Sequence, residues 1–243
     1  MVRLTFTSSI IGNENYLTIA KISIFMRAWG NDALLCCAPM TSLPRPPRAI
    51  CPTCQRPARA CICRWIAPTT NLSDVLLLQH PLEVGNVKNS LRLLELSLAR
   101  RTVVVGEQFA PGVLEHMLEG SAAGRAQPVL LYPDTPGIPS GAPTFDVSQP
   151  LRLVVLDATW RKSRKMLTLN PALQALPRLA LQAPPPSRYL VRKAHRAGQL
   201  STLEAVCHAL AQLEGNPARY LPLLAAFDGF VAGQLAWRDS QAR

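Results

Sequence analysis

The residues best suited to chemistry stand together in Asp157-Ala158-Thr159-Trp160-Arg161-Lys162-Ser163-Arg164-Lys165. A carboxylate can accept a proton, a hydroxyl can orient a ligand, and an indole can stack on a planar base. The four bases that follow can hold phosphate. A second group is Cys51-Pro52-Thr53-Cys54, followed after six residues by Cys61-Ile62-Cys63. Two close cysteine pairs can converge on one ion, as a tetrahedral thiolate zinc site requires. The first pair has the common knuckle spacing; the second is tighter. A redox pair or chance are the alternatives. Coordination by Cys51, Cys54, Cys61 and Cys63 would be closed, so a zinc ion there is structural, with Arg56, Arg59 and Arg64 offsetting thiolate charge.

These groups need elements to position them. Leu153 to Leu156 is an apolar run that reads as a buried strand. It delivers Asp157, Thr159 and Trp160 to the carboxyl edge of a sheet, where open α/β sheets bind ligands. Asp74 to Gln79 reads as the first core strand, ending in His80-Pro81-Leu82-Glu83. His80 has two readings, a ligand-orienting group or a loop-fixing hydrogen-bonder. Asn86 to Leu98 carries Val87, Leu91, Leu94 and Leu98 at helical spacing, with Asn89, Ser90 and Arg92 as candidates for phosphate or ribose contact. Further strands are predicted at Thr102–Val105, Val129–Asp134 and Arg178–Leu181, with a helix starting near Pro111 and loops over 120–127 and 135–150. Leu169-Asn170-Pro171 reads as a helix stop. Ser201 and Glu204 make a capping-box pattern at a helix start whose N–H groups are also suited to a ligand carboxylate. Residues 218–237 form a last helical region. Alternating strands and helices predict an α/β domain with a mostly parallel sheet flanked by helices.

Charge is unevenly distributed. The chain has 26 Lys+Arg against 15 Asp+Glu, a formal net charge of +11. Nine of the bases, and no acid, fall between Ala158 and Leu203. A basic stretch flanking a candidate active site, with Arg188, Tyr189, Arg192, Lys193 and Arg196 interleaving bases and an aromatic, points to a nucleic-acid backbone. A solvated face is the plain alternative.

The 243 residues suit one domain plus a small module, and 48% hydrophobic content suffices for a core. No apolar run is long enough to span a bilayer. Seven cysteines, four of them clustered, fit a metal site in a reducing cytoplasm better than a disulfide framework. Residues 1–39 lack a convincing signal-peptide pattern, since Lys21 and Arg27 interrupt the apolar stretch. We expect them to be a disordered extension or a start-site artefact, with the native start at or near Met40. Residues 40–70 then form the zinc-binding module and 71–243 the catalytic domain. Cys36 and Cys37 receive no role.

Five marks, in order, resemble the DTW-domain family of tRNA-uridine aminocarboxypropyltransferases over roughly Ile50 to Leu235. They are the Cys51/Cys54/Cys61/Cys63 cluster, His80-Pro81-x-Glu83, Tyr132-Pro133, Asp157-x-Thr159-Trp160 with its basic tail, and Gln199-Leu200-Ser201-Thr202-Leu203-Glu204-Ala205. Ser90 departs from the threonine many relatives carry after the asparagine, but keeps the hydroxyl.

The resemblance implies a SPOUT-like α/β fold with a C-terminal trefoil knot around S-adenosylmethionine. It implies transfer of the 3-amino-3-carboxypropyl group of that donor to N3 of a tRNA uridine, by analogy in the variable loop, releasing methylthioadenosine. On this reading Asp157, Thr159 and Trp160 are catalytic, with Asp157 the base. Trp160 has two readings, stacking on a ring or packing its helix on the sheet. Leu130, Tyr132, Pro133, Leu156, Ser201, Thr202 and Glu204 line the donor pocket. His80, Glu83, Asn89, Arg92, Arg161, Lys162, Arg164, Lys165, Arg188, Arg192, Lys193 and Arg196 face RNA. No obligate protein partner is expected. A SPOUT-like RNA methyltransferase and a non-catalytic zinc-stabilised RNA binder are the alternatives.

Overall fold

A computed structural model describes residues 49–121, 124–133, 145–189 and 199–241. The expected extension and the start near Met40 lie outside the described residues. The elements are β1 (Asp74–Gln79), α1 (Leu91–Ser97), β2 (Arg101–Val105), α2 (Pro111–Glu119), a ribbon of β3 (Gly120–Ser121) and β4 (Gly124–Arg125), β5 (Gln127–Leu131), β6 (Leu151–Asp157), α3 (Trp160–Leu169), α4 (Pro171–Gln174), β7 (Arg178–Leu179), α5 (Thr202–Glu214) and α6 (Leu221–Gln241). Short 3-10 turns at Ala58–Ala60 and Cys63–Trp65 shape the cysteine-rich segment.

Five strands form one wholly parallel sheet in the order β2-β1-β6-β5-β7. β1 and β6 are buried along almost their whole length because both faces are covered. Val75, Leu77, Val129, Leu153 and Val155 face one layer, with Leu91 and Leu94 of α1, Leu203, Val206 and Leu210 of α5, and Phe227 and Phe230 of α6. Leu76, Leu78, Leu130 and Val154 face the other, with Leu114 and Leu118 of α2, Met166 and Leu167 of α3, and Leu173 of α4. The alternation follows from the two-residue period of a strand. Each fully buried leucine contributes about 1.5–3 kcal/mol. Cys54 and Ile62 join the first layer's cluster, so the cysteine-rich segment shares the domain's core.

The structure bears out a mostly parallel sheet flanked by helices and shifts several boundaries. The helix predicted from Asn86 begins at Leu91. Asn89 Oδ1 accepts from Leu91 N at 2.6 Å, an Asx-type bond that holds the preceding residues out of the helix. Val87 is 53% exposed, so its helical spacing is coincidental. β5 ends at Leu131 and leaves Tyr132 and Pro133 just past its carboxyl end. No described helix is long and apolar enough to cross a membrane.

Candidate active site and metal centre

From β1 the chain moves outward to β2, and from β6 it moves outward past β5 to β7. The connections diverge between the carboxyl ends of β1 and β6, the switch point where open parallel sheets leave a crevice. Gln79 and Asp157 are register partners there.

Asp157 is 4% exposed and accepts three side-chain hydrogen bonds. Gln79 Nε2 donates to Oδ2 at 3.0 Å and Asn89 Nδ2 to Oδ2 at 2.7 Å. Thr202 Oγ1 donates to Oδ1 at 2.7 Å. A carboxylate offers about four lone-pair sites, so Oδ1 keeps one acceptor direction. Thr202 arrives there because Ser201 caps α5. The Ser201 side chain accepts from Glu204 N at 3.3 Å, and Glu204 Oε2 accepts from Ser201 N at 2.8 Å, the complete capping box. Buried Glu204 also accepts from Ser187 Oγ at 2.8 Å and from Arg188 N at 2.7 Å, tying Ser187 and Arg188 to the helix start.

Trp160 opens α3 and is 47% exposed. Its ring meets Tyr132 edge-on at 5.8 Å between centroids, and the Arg178 guanidinium lies 5.4 Å from the Tyr132 centroid. Tyr132 Oη lies 3.4 Å from Ser163 Oγ, tying the end of β5 to α3. Thr159 and Pro133 are exposed beside this cluster; Leu130 is fully buried beneath it and Leu156 half-buried.

Two acid–base links hold α3 over the sheet edge. Lys162 Nζ donates to Glu83 Oε1 at 2.8 Å, and Lys165 Nζ to Glu107 Oε2 at 2.9 Å. His80, 4% exposed, accepts from Leu82 N through Nδ1, so its Nε2 proton faces Glu107 Oε1 at 3.0 Å. Lys165 and His80 together hold the Glu107 carboxyl below the usual glutamate range. Arg92 donates to the carbonyls of Cys54 at 3.2 Å and Thr53 at 2.7 Å and pairs with Glu95 at 2.7 Å, all within the fold. Arg161 and Arg164 are exposed, and Arg188 pairs with Asp228 at 2.7 Å. Arg192, Lys193 and Arg196 lie outside the described residues.

Gln79 and Glu107 belong to this constellation although the sequence reading assigns them no role. The signal available for Gln79 is the one that marks Asp157, a polar residue closing an apolar strand run; Glu107 stands two residues beyond the end of β2, after Gly106.

The four cysteines converge. Cys51 Sγ lies 3.6 Å from Cys63 Sγ and 3.6 Å from Cys61 Sγ, Cys54 Sγ lies 3.8 Å from Cys61 Sγ, and all four lie within 4.8 Å of one another. Tetrahedral thiolates about 2.3 Å from a central ion stand about 3.8 Å apart, so the set fits one metal ion. Backbone N–H groups of Cys54 and Thr53 lower the Cys51 thiol to about 6, whereas the adjoining Cys61 thiol pushes Cys63 up to about 12. Crowded thiols cannot all ionise unaided; a cation lets them.

Residues 48–235 match the DTW domain family. A Drosophila melanogaster protein named tRNA-uridine aminocarboxypropyltransferase 2 is 31% identical over 191 residues, covering 77% of this chain and 75% of the relative. The Mus musculus protein of the same name is 26% identical over 196 residues, covering 77% of this chain and 64% of the relative. Arabidopsis thaliana tRNA-uridine aminocarboxypropyltransferase A is 28% identical over 144 residues, covering 49% of this chain and 50% of the relative. No solved structure matches the chain. With the matched residues spanning every element that builds the site, the chain belongs to the DTW-domain family.

Proposed function

We propose that this protein is a tRNA-uridine aminocarboxypropyltransferase. It moves the 3-amino-3-carboxypropyl group of S-adenosylmethionine to N3 of a tRNA uridine, in the variable loop. The observation that carries the reading is the buried Asp157 carboxylate, organised by Gln79, Asn89 and Thr202 at the switch point and flanked by an exposed indole.

The donor's sulfonium provides an activated carbon and a neutral leaving group, methylthioadenosine. The N3–carbon bond forms as the carbon–sulfur bond breaks, and the sulfur keeps that electron pair. Uridine N3 must lose a proton, and Asp157 accepts it through the open direction on Oδ1. Thr202 and Asn89 fix the carboxylate so that no reorganisation is needed at attack. Trp160 offers a stacking face for a planar base, an interaction worth about 1–3 kcal/mol. Thr159 orients the ligand beside it. Tyr132, Pro133, Leu130, Leu156 and the Ser201-Thr202 helix start bound the donor pocket, with Glu204 holding that start in place. Arg161, Lys162, Arg164 and Lys165 of α3 receive phosphates, and Arg188, Arg192, Lys193 and Arg196 supply further bases for RNA contact. His80, Glu83 and Arg92 support the surface from within the fold.

The metal is structural zinc in the Cys51/Cys54/Cys61/Cys63 module, in keeping with thiolates in a reducing cytoplasm. The domain is SPOUT-like, knotted near its C-terminus.

The test incubates purified protein with S-adenosylmethionine and unmodified tRNA and reads the digested nucleosides by mass spectrometry. Aminocarboxypropyl-uridine with methylthioadenosine is the expected result. A methylated nucleoside replaces the reading with a methyltransferase, and absence of donor binding replaces it with an RNA-binding role.

A further inference from the structure

The segment between the 3-10 turn at Pro81–Glu83 and α1 has five consecutive exposed residues, 84–88. Such a stretch buries little of itself, and its conformation depends on bonds from elsewhere. Its last residue before the core, Asn89, carries one of the three donors to Asp157. Asn89 is orientated at both ends. Oδ1 is occupied by Leu91 N at 2.6 Å, so Nδ2 faces Asp157 Oδ2 at 2.7 Å.

The backbone of this segment is held from the cysteine module and, at Val87 O, also by Gln234 Nε2 of α6 at 2.8 Å. Arg56 lies between the two cysteine pairs and is 8% exposed. Its guanidinium sits 5.5 Å from the Phe230 ring centroid and donates from Nη1 to Val87 O at 2.9 Å and from Nη2 to Asn89 O at 2.8 Å. One planar fork thus bridges two carbonyls that bracket a single residue, a geometry lysine cannot reproduce. The intervening carbonyl, of Lys88, accepts from the Tyr189 hydroxyl.

We infer that Arg56 is a positioning residue for the reaction: through its fork on the Val87 and Asn89 carbonyls, the metal-binding module sets the Asn89 amide against Asp157. The module is therefore a part of the active site's alignment and not a brace for the fold alone. The inference rests on the proposed transferase reading for its kinetic consequence, but the placement of Asn89 is a property of the free protein.

The experiment uses the full chain with its metal bound and compares wild type with Arg56→Met, Arg56→Lys, Asn89→Ala and the Arg56→Met/Asn89→Ala double variant. Methionine keeps an apolar stem against Phe230 and removes the fork. The first readout is the Asn89 side-chain amide resonance, identified by its absence in Asn89→Ala. It is expected to be protected from exchange in wild type, averaged to solvent in Arg56→Met, and only partly restored in Arg56→Lys, with zinc content unchanged in all. The second readout is aminocarboxypropyl-uridine formation. Arg56→Met is expected to lower kcat at least tenfold while KM for the donor and affinity for tRNA stay within about twofold. The double variant is expected to be no slower than Asn89→Ala. A wild-type-like Asn89 amide in Arg56→Met overturns the inference, as does a double variant whose losses multiply. If Arg56→Met loses zinc or fails to fold, Arg56→Lys carries the test alone: wild-type protection and kcat in that variant overturn it. A wild-type protein that binds donor yet modifies no tRNA in a complete unmodified tRNA pool sinks the transferase reading, and the amide readout still decides the positioning claim.

Discussion

Thr202 Oγ1 lies 2.7 Å from Asp157 Oδ1, joining the first residue of α5 to the last residue of β6. This bond holds one carboxylate oxygen, while Gln79 and Asn89 hold the other.

The arrangement predicts different results for two substitutions at Asp157. In Asp157→Asn the amide oxygen can still accept from Gln79 and Asn89, and the Thr202 hydroxyl can turn to accept from the new NH2. The variant should fold, bind tRNA nearly as wild type, and lose turnover. Asp157→Ala leaves the buried Gln79 amide and the half-buried Asn89 and Thr202 donors unpaired, at up to about 1–3 kcal/mol for a buried one, and should unfold at lower urea. Urea titration and the nucleoside assay separate the two. Wild-type-like turnover in Asp157→Asn rejects the carboxylate as base.

Gly229 and Gly233 on α6 make room for Trp65. A Cβ at Gly229 would stand 2.8 Å from Trp65 Nε1, and one at Gly233 2.7 Å from the indole's six-membered ring. The ring is held edge-on to Phe230 at 5.9 Å, with the Arg64 guanidinium 3.9 Å from its centroid, so it has little freedom to retreat. Gly233→Ala gains up to about 1 kcal/mol of helix propensity. We expect overpacking of about 1–3 kcal/mol to exceed it, for a net loss read by thermal unfolding. A stabilised Gly233→Ala protein would show that the ring yields.

The purified chain should carry about one zinc ion, lost on Cys54→Ser or strong chelation. Binding free energy at a structural zinc site is folding free energy. At about 2–4 °C per kcal/mol for a domain of this size, a contribution of several kcal/mol lowers Tm by roughly 10 °C. Metal analysis beside a melting curve checks this, and metal-free protein with an unchanged Tm would remove the ion from the account of stability.

Glu107 predicts a pH dependence. Lys165 and His80 hold its folded-state carboxyl below the ordinary value of 4.5. The folded pKa is depressed, so the stabilisation is fully present above that ordinary value and is lost as pH falls through the folded one. Glu107→Gln should therefore be less stable than wild type at neutral pH, and the two should converge in acid. The effect is small because Lys165 is 59% exposed and screened by water. Urea midpoints at neutral pH and well below the carboxylate range give the comparison; a gap that widens in acid contradicts the assignment.

Much of the domain is legible in local pattern. The buried runs of β1 and β6, the Pro111 helix start, the Asn170-Pro171 break and the Ser201–Glu204 box each depend on residues a few positions apart. The helix boundary before Leu91 was less legible, because Val87 imitates the core spacing while the Asn89 side chain ends the helix.

By itself, then, the sequence determined the alternation of strands and helices, the cysteine pairs able to share an ion, and the acid and indole at a strand end. Hydrophobic period, turn chemistry and ligand spacing are short-range properties and can be read from neighbours. Tertiary structure alone decided that Gln79, Asn89 and Thr202 converge on Asp157, that Glu83 and Glu107 take Lys162 and Lys165, and that Arg56 reaches the Val87 and Asn89 carbonyls. Those pairings follow from β1 lying beside β6 and from the cysteine module packing against the first helical layer. Strand order is set by how all the apolar faces are buried together, and no local stretch of residues encodes it.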